Sequence, residues 1–230
     1  MKIAFTLFLP GESVLRKARQ KINRGGSRQR NKKAMEYAVE TNCLTKKFHH
    51  HVAVSQINMH VKRGEIYGFI GRNGAGKTTC MKMLCGLSTQ TDGEIRLFGK
   101  QGAETKAYME RIGNLIENPG LYPNMTGYEN LKCKCIAMGI YKKGYIEEIL
   151  KQVGLENDRK KKVKNYSLGM KQRLGIGMAL VGEPDLLILD EPINGLDPQG
   201  IAEIRDTLKR LNQKKGITIL ISSHILEELY

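Results

Sequence analysis

The chain has 230 residues, of which 40% are hydrophobic and 27% are charged, and its formal net charge is +15. This composition supports a folded core and excludes disorder throughout. No run approaches about 18 consecutive apolar residues, so a membrane-spanning helix is not expected. The five cysteines are odd in number and lack the paired spacing of a disulfide framework or a zinc site, which favours a reduced, cytoplasmic compartment.

The N-terminal segment, residues 1–34, carries most of the positive charge. Its ten basic residues and one acid account for +9 of the net +15. A short apolar run is cut by Pro10-Gly11 and almost no apolar periodicity follows, so we interpret the segment as a basic, disordered extension before a domain at residues 35–230. A secretory signal is disfavoured because no small-residue cleavage site follows the apolar run. An arm that binds nucleic acid or lipid is the other alternative.

From Val39 onward, short apolar strands alternate with helical patterns. Strands are predicted at Glu65–Ile70, Glu94–Phe98, Leu186–Leu189 and Ile217–Ile221. The run Leu186–Leu189 has no polar residue, as expected for a strand buried on both faces. This alternation predicts an α/β domain with a mainly parallel sheet.

Helix boundaries are also visible in the sequence. Thr126 and Glu129 have the spacing of a capping box and open a mostly helical stretch, which predicts a helical insertion over about residues 118–172. Asp197, followed by a proline, predicts the start of another helix, and Gly216 predicts its end.

The segment from Gly71 to Thr78 matches the phosphate-loop pattern G-x-x-x-x-G-K-[ST]. Its glycines permit positive φ and let backbone N–H groups approach phosphate oxygens, while Lys77 supplies positive charge. The Thr78 hydroxyl is a suitable ligand for Mg²⁺. A chance glycine-rich turn is the alternative, but a strand precedes the motif and a helix follows it. The predicted nucleotide-binding residues of this loop are Gly71, Asn73, Gly74, Gly76, Lys77, Thr78 and Thr79.

Two adjacent acids, Asp190 and Glu191, end the apolar strand that begins at Leu186. Carboxylates at the end of a buried parallel strand face the ligand crevice of an α/β sheet. We predict that Asp190 is a Mg²⁺ ligand and that Glu191 polarises the water that attacks the γ-phosphate of ATP.

Five motifs in order and at characteristic spacing resemble the ATP-binding subunit of ABC transporters from about Val39 to Tyr230. They are GRNGAGKTT (71–79), YSLGMKQR (166–173), LLILDEP (186–192), NGLD (194–197) and SSH (222–224). The resemblance implies a P-loop ATPase core with a mainly parallel sheet, an antiparallel β subdomain and the helical insertion. It also implies ATP and Mg²⁺ as ligands.

The resemblance assigns roles to further residues. It implies a homodimer, or a heterodimer with a similar subunit, in which ATP lies between the phosphate loop of one copy and Ser167 and Gly169 of the other. Asp197 would couple the two sites and His224 would contact the γ-phosphate. Phe48 lies where the family usually places an aromatic ring beneath adenine, and a core aromatic is the competing interpretation.

Three features depart from the usual family pattern. The signature is Tyr166-Ser167-Leu168-Gly169-Met170 instead of leucine-serine-glycine-glycine-glutamine, and Glu117 occupies the usual place of a glutamine that senses the metal. The chain also stops six residues after His224, so the C-terminal part of the family's domain is expected to be missing. The first two features resemble the bacitracin and lantibiotic branch, and they imply Glu117 as a direct or water-mediated metal ligand.

The resemblance implies a subunit that energises a separate transmembrane permease and lies on the inner face of the cell membrane through it, with export of, or resistance to, a peptide antibiotic as its role. No nucleic-acid partner is expected. One alternative is a soluble ABC-type ATPase that acts on ribosomes or DNA, which the net charge encourages. The other is a truncated, non-functional copy.

Overall fold

The protein, represented by a computed structural model, is described over residues 3–8 and 36–224. Within these residues, nine strands and five α-helices form. The strands are β1 (Ile3–Phe8), β2 (Tyr37–Phe48), β3 (His51–Lys62), β4 (Ile66–Gly71), β5 (Asp92–Leu97), β6 (Lys100–Gln101), β7 (Ile112–Leu115), β8 (Leu186–Leu189) and β9 (Thr218–Ser223). The helices are α1 (Lys77–Leu84), α2 (Gly127–Ala137), α3 (Tyr145–Gln152), α4 (Leu168–Leu180) and α5 (Pro198–Lys215). A ten-residue 3₁₀ segment spans Gly102–Arg111, and two short ones span Glu156–Asp158 and Val163–Asn165.

The strands form two sheets. A parallel sheet has the order β1-β4-β9-β8-β7, and an antiparallel sheet has the order β3-β2-β5-β6. Three of the five helices, α2 to α4, begin in the chain between β7 and β8. The predicted α/β fold, with a mainly parallel sheet and an antiparallel β subdomain, is therefore confirmed.

The apolar core lies on both faces of the parallel sheet. All four residues of β8 are 0% exposed. Because successive side chains of a strand point to opposite faces, Leu187 and Leu189 pack with the helices α2 to α5, whereas Leu186 and Ile188 pack with α1 and the antiparallel sheet. This double burial explains why the sequence of β8 has no polar residue until Asp190.

The predicted helix caps are confirmed. Thr126 and Glu129 form a reciprocal capping box at α2, with the Thr126 side chain accepting from the Glu129 N–H. Asp197 caps α5 by accepting from the Gly200 N–H at 3.0 Å, and Gly216 ends that helix at a φ of 68°. These caps fix where α2 and α5 begin and where α5 ends.

The N-terminal segment differs in part from the disordered extension that its composition predicts. Residues 3–8 form β1, which pairs in parallel with β4 from Ile3↔Ile66 to Phe8↔Gly71. The physical reason is that β4 would otherwise present an unpaired edge, and an apolar run such as residues 3–8 readily completes one. Residues 9–35 lie outside the described residues, so the remainder of that prediction stays a prediction.

All five cysteines have free thiols. Burial raises the pKa of the Cys80 and Cys85 thiols to about 12, which keeps both protonated and unreactive at neutral pH. Across residues 3–8 and 36–224, no helix combines the length and apolar character needed to cross a bilayer.

Candidate nucleotide-binding site

The phosphate loop connects β4 to α1 at the carboxyl edge of the parallel sheet. Gly74 and Gly76 have φ values of 78° and 91°, a region that other residues rarely adopt. A methyl group at Gly76 would lie 2.0 Å from the carbonyl oxygen of Ala53 in β3. Glycine is therefore required at residue 76 by both backbone conformation and close packing.

Lys77 is held inside this loop and is only 5% exposed. Its ammonium donates to the carbonyl oxygens of Gly71 at 2.6 Å and Arg72 at 3.1 Å. It also pairs with Glu191 Oε1 at 3.0 Å. The loop thus fixes a cation where an incoming phosphate would compete with Glu191 for it.

Thr78 and Asp190 meet directly, although 112 residues separate them in the chain. The Thr78 hydroxyl donates to Asp190 Oδ2 at 2.6 Å, and the Asp190 side chain is almost fully buried. The other carboxylate oxygen, Oδ1, accepts from the Ser222 hydroxyl at 2.6 Å. Oxygen atoms of the kind that bind Mg²⁺, from α1 and from the end of β8, therefore lie close together.

Glu191 connects Lys77 to His224. Its Oε1 faces Lys77, and its Oε2 lies 2.7 Å from His224 Nδ1. The Glu191 backbone has a φ of 47°, in the left-handed region, and its N–H donates to Ser222 Oγ at 2.8 Å. This conformation turns the carboxylate into the crevice immediately after the buried strand.

The residues present fit ATP and Mg²⁺. No side chain caps α1, so its first N–H groups and the positive end of its dipole are available to an anion. Mg²⁺ in nucleotide sites is usually held by one or two carboxylates, water and phosphate oxygens. The described part of the chain contains no cluster of three or more His, Cys, Asp or Glu residues suited to a metal. A magnesium ion here would therefore depend on Thr78, Asp190, water and the phosphates.

Glu117 lies in the loop after β7 and makes a different contact from the metal-side one expected. Its side chain is 63% exposed, and Oε1 accepts from Lys82 Nζ at 2.6 Å. Lys82 lies on α1 four residues after Thr78, so both side chains project from the same helix face. Glu117 is thus attached to the phosphate-loop helix, one turn beyond the predicted metal ligand.

Ser167, Gly169 and Asp197 form a second cluster. Ser167 caps α4 by accepting from the Met170 N–H at 3.2 Å. A methyl group at Gly169 would lie 3.8 Å from the Cα of Gly200, next to the Asp197 cap. Among the described residues, no hydrogen bond or ion pair joins Ser167 or Gly169 to the phosphate loop.

Phe48 lies at the tip of the β2–β3 hairpin, where it pairs with His51. Its ring is 47% exposed, with the Lys46 ammonium 4.9 Å from the ring centroid. Ala53, two residues beyond His51, packs against Gly76. Phe48 is therefore an exposed aromatic on the hairpin that contacts the phosphate loop through Ala53, and it is not a core residue.

Two residues of this site, Ser222 and Lys82, have no predicted role in the sequence, although the position of each is a usable signal. Ser222 precedes His224 by two residues at a strand end, so their side chains lie on the same side. Lys82 follows Thr78 by one helical turn.

A groove of about 390 Å³ lies beside the Glu117 loop, between that loop, α2 and α4. Its lining is mostly apolar or small and includes Pro119, Leu121, Tyr122, Cys133 and Met178. Further large apolar side chains are exposed around the helical region, namely Met125, Ile136, Met138 and Tyr141.

In the parallel sheet, the glycine-rich loop follows β4, and the two adjacent carboxylates follow β8, with β9 between these strands. This arrangement defines a nucleotide-binding protein of the P-loop class. The chain belongs to the ABC transporter family, because the model of the family described as "ABC transporter" matches residues 54–194. The resemblance seen in the sequence is thereby confirmed.

Two curated relatives are informative. Over 196 residues the chain is 52% identical to the bacitracin transport ATP-binding protein BcrA of Enterococcus faecalis, which covers 85% of this chain and 64% of BcrA. Over 186 residues it is 44% identical to the lantibiotic transport ATP-binding protein SrtF of Streptococcus pyogenes, covering 81% of this chain and 80% of SrtF. The chain thus spans slightly less than two thirds of the length of BcrA.

Solved structures agree with the fold. The chain superposes on cbiO1 from Clostridium perfringens, part of the ABC transporter complex cbiONQ, with a TM-score of 0.74 and 31% identity, covering 83% of this chain and 79% of cbiO1. It superposes on the ATP-binding cassette MJ0796, a dimeric post-hydrolysis state bound to ADP and Pi, with a TM-score of 0.70 and 25% identity, covering 83% and 90% of the two chains.

Proposed function

We propose that this chain binds and hydrolyses ATP as the subunit that energises a separate membrane permease, and that the transporter exports or confers resistance to a peptide antibiotic such as bacitracin or a lantibiotic. The observation that carries the proposal is a network at one edge of the parallel sheet, in which Ser222 joins the Thr78–Asp190 pair to the group formed by Lys77, Glu191 and His224.

Each member of this network has a place in ATP hydrolysis. Lys77 and the start of α1 bind the β- and γ-phosphates, and Thr78 and Asp190 hold Mg²⁺, which when bound offsets charge on the phosphate oxygens. Glu191 accepts a proton from the attacking water, and His224, hydrogen-bonded to Glu191, faces the γ-phosphate. Gly71, Asn73, Gly74, Gly76 and Thr79 shape the loop around the phosphates, and Phe48 stacks on adenine.

The separation of the two clusters supports a dimer. Ser167 and Gly169 begin a second helix N-terminus, which is another anion-binding element, yet no hydrogen bond or ion pair in the described residues connects it with Lys77. A head-to-tail pair of similar chains would bring this element to the partner's phosphate loop, with Asp197 between the sites. The dimeric MJ0796 cassette is in keeping with this arrangement.

The groove beside Glu117 is the proposed permease contact. A groove lined by apolar and small residues, with exposed aromatic and methionine side chains around it, is typical of a protein–protein interface. Because the groove touches the loop that carries Glu117, movement at the nucleotide can reach the permease through a single segment. Attachment to the permease would place the chain on the inner face of the cell membrane.

The names of BcrA and SrtF support the class of substrate. The test is to express the full chain together with a candidate permease in a sensitive bacterium, and to measure the inhibitory concentrations of bacitracin and of a lantibiotic. We expect at least a fourfold rise for one of them, and no rise with Glu191→Gln, because transport depends on hydrolysis. Unchanged sensitivity to both would contradict the substrate class, whereas ATP hydrolysis by the purified chain tests the ATPase separately.

We expect Glu117→Gln to weaken the magnesium dependence of ATP binding while binding stays measurable. Without Mg²⁺ the Glu117 carboxylate repels the triphosphate, and glutamine removes that repulsion. The ratio of the ATP Kd without and with Mg²⁺ should fall about fivefold, the equivalent of about 1 kcal/mol for a partly exposed charge. Titrations of ATP at equal ionic strength measure it.

Lys82→Gln is the matched variant for this prediction. It removes the cation that faces Glu117 and should raise the same ratio, opposite to Glu117→Gln. Equal magnesium dependence in all three proteins would mean that Glu117 acts at the permease interface instead of the metal.

A further inference from the structure

We infer that Ser222 is a positioning residue of the ATPase site, which holds the Asp190 carboxylate and the Glu191 backbone in fixed relation at the ends of two neighbouring strands. The inference rests on the proposed ATP and Mg²⁺ site, and it assigns a role to a residue outside the phosphate loop and the acidic pair.

A single hydroxyl makes both connections. Ser222 is 0% exposed and lies near the end of β9, beside β8. Its Oγ donates to Asp190 Oδ1 at 2.6 Å and accepts from the Glu191 N–H at 2.8 Å. A hydroxyl can donate once and accept at the same time, so Ser222 satisfies a buried carboxylate oxygen and a partly buried N–H that no apolar side chain could serve.

The first connection fixes the Asp190 carboxylate. Oδ1 is held by Ser222 from β9, and Oδ2 is held by Thr78 from α1. Because both oxygens have a hydrogen-bond donor, the carboxylate plane cannot rotate without losing one of them. The oxygen that faces Thr78, the other proposed metal ligand, is therefore oriented by Ser222 from the opposite side.

The second connection fixes the backbone of Glu191. This residue has a φ of 47°, a conformation that costs free energy in a residue with a side chain. Its N–H is held by Ser222, and its carboxylate lies against His224, which follows Ser222 by two residues. The end of β9 therefore holds Glu191 at both its backbone and its carboxylate.

The local sequence gives no packing reason for serine at this position. The preceding residues 217–221 are Ile-Thr-Ile-Leu-Ile, and β9 is buried along its whole length. An aliphatic residue would continue this pattern with a higher strand preference. It would, however, remove the hydrogen-bond partner of the Glu191 N–H and the Ser222 partner of the buried Asp190 Oδ1.

The test compares Ser222→Ala with Thr218→Val in the full-length chain. Thr218 is the matched control, because its buried hydroxyl lies on the same strand and accepts from the Gly64 N–H at 3.0 Å, at the opposite end from the site. The first readout is binding of the non-hydrolysable analogue AMP-PNP as a function of MgCl₂ concentration, measured by titration calorimetry. The second is kcat for ATP at saturating Mg²⁺.

For Ser222→Ala we expect the Mg²⁺ concentration at half-maximal AMP-PNP binding to rise about tenfold and kcat to fall about tenfold, as for other residues that orient a metal ligand. Thr218→Val should lower the melting temperature without moving either quantity. Ser222→Thr, which keeps the hydroxyl, should stay within about threefold of the unmodified protein.

A Ser222→Ala protein with unchanged Mg²⁺ half-saturation and kcat would overturn the inference, and so would equal shifts in Thr218→Val. If Ser222→Ala does not fold, Ser222→Cys replaces it in the test. Its thiol is a weaker hydrogen-bond donor, so the Mg²⁺ concentration at half-maximal AMP-PNP binding should rise as for Ser222→Ala. An unmodified protein that binds no AMP-PNP would instead overturn the proposed function, which separates the two outcomes.

Discussion

Glu191→Gln should reduce ATP hydrolysis by at least about 100-fold while ATP binding becomes tighter. The loss follows because glutamine cannot accept the proton of the attacking water, and a positioned general base contributes about 10²–10⁴ in rate. The tighter binding follows from the Glu191–Lys77 ion pair at 3.0 Å, since phosphate would no longer compete with a carboxylate for Lys77. Steady-state phosphate release and ATP titrations measure the two effects.

Glu183→Gln is the matched control for this substitution. Glu183 also has a positive φ, 54°, and pairs with a lysine, Lys142, but both side chains are exposed and far more solvated than Glu191. We expect Glu183→Gln to leave hydrolysis and binding unchanged. Hydrolysis by Glu191→Gln within a factor of three of the unmodified rate would contradict the assignment of Glu191 as general base.

Lys77→Ala should raise the Kd for ATP by about 100-fold and abolish measurable hydrolysis. Charge-assisted hydrogen bonds contribute about 1.5–3 kcal/mol each, and the upper value corresponds to about two decades in Kd. Lys77 is nearly fully buried, so no neighbouring surface lysine can take its place. The substitution also leaves Glu191 without its cation, which adds repulsion toward the phosphates.

Lys100→Ala serves as the control, since Lys100 forms an exposed ion pair with Glu104 at 3.1 Å. Exposed pairs of this kind contribute little, so binding should not change. Thermal unfolding of each variant separates a loss of binding from a loss of fold. ATP affinity in Lys77→Ala equal to that of Lys100→Ala would show that the phosphates do not reach Lys77.

Glu191→Gln and Lys77→Ala change the same ion pair with opposite expected effects on binding. Because the two side chains are in direct contact, their effects should not add in the double variant. Glu191 is therefore both the proposed base and the carboxylate with which the phosphates of ATP compete for Lys77.

Much of the site was predictable because local sequence patterns have local causes. The glycines at 74 and 76 are required by backbone φ, and the chain between Gly71 and Thr78 needs no distant partner to be recognised. The caps at Thr126 and Asp197 likewise depend on residues only three positions away. The apolar run of β8 predicted a strand buried on both faces, and the acids after it indicated the carboxyl edge of the parallel sheet.

Other features depended on contacts across the chain. Thr78 and Asp190 are 112 residues apart, and only the order β4-β9-β8 brings their elements to one edge. Ser222 reads locally as one more residue of a strand, and its role arises because β9 lies between the phosphate-loop strand and the strand of the acids. Glu117 could have faced metal or surface, and its contact with Lys82 follows from how the loop after β7 packs on α1.

The sequence by itself determined the phosphate loop, the acidic pair and the capped ends of α2 and α5, since each is specified by residue types within a few positions. The order and spacing of five such motifs determined the ABC family. Only the tertiary structure decided that Lys77 is paired with Glu191, that Ser222 holds Asp190 and Glu191 together, and that residues 3–8 lie beside β4. The physical reason is that hydrogen bonds and ion pairs between distant segments depend on strand order and register. Those quantities are set by the packing of the whole sheet and leave no short-range pattern in the chain.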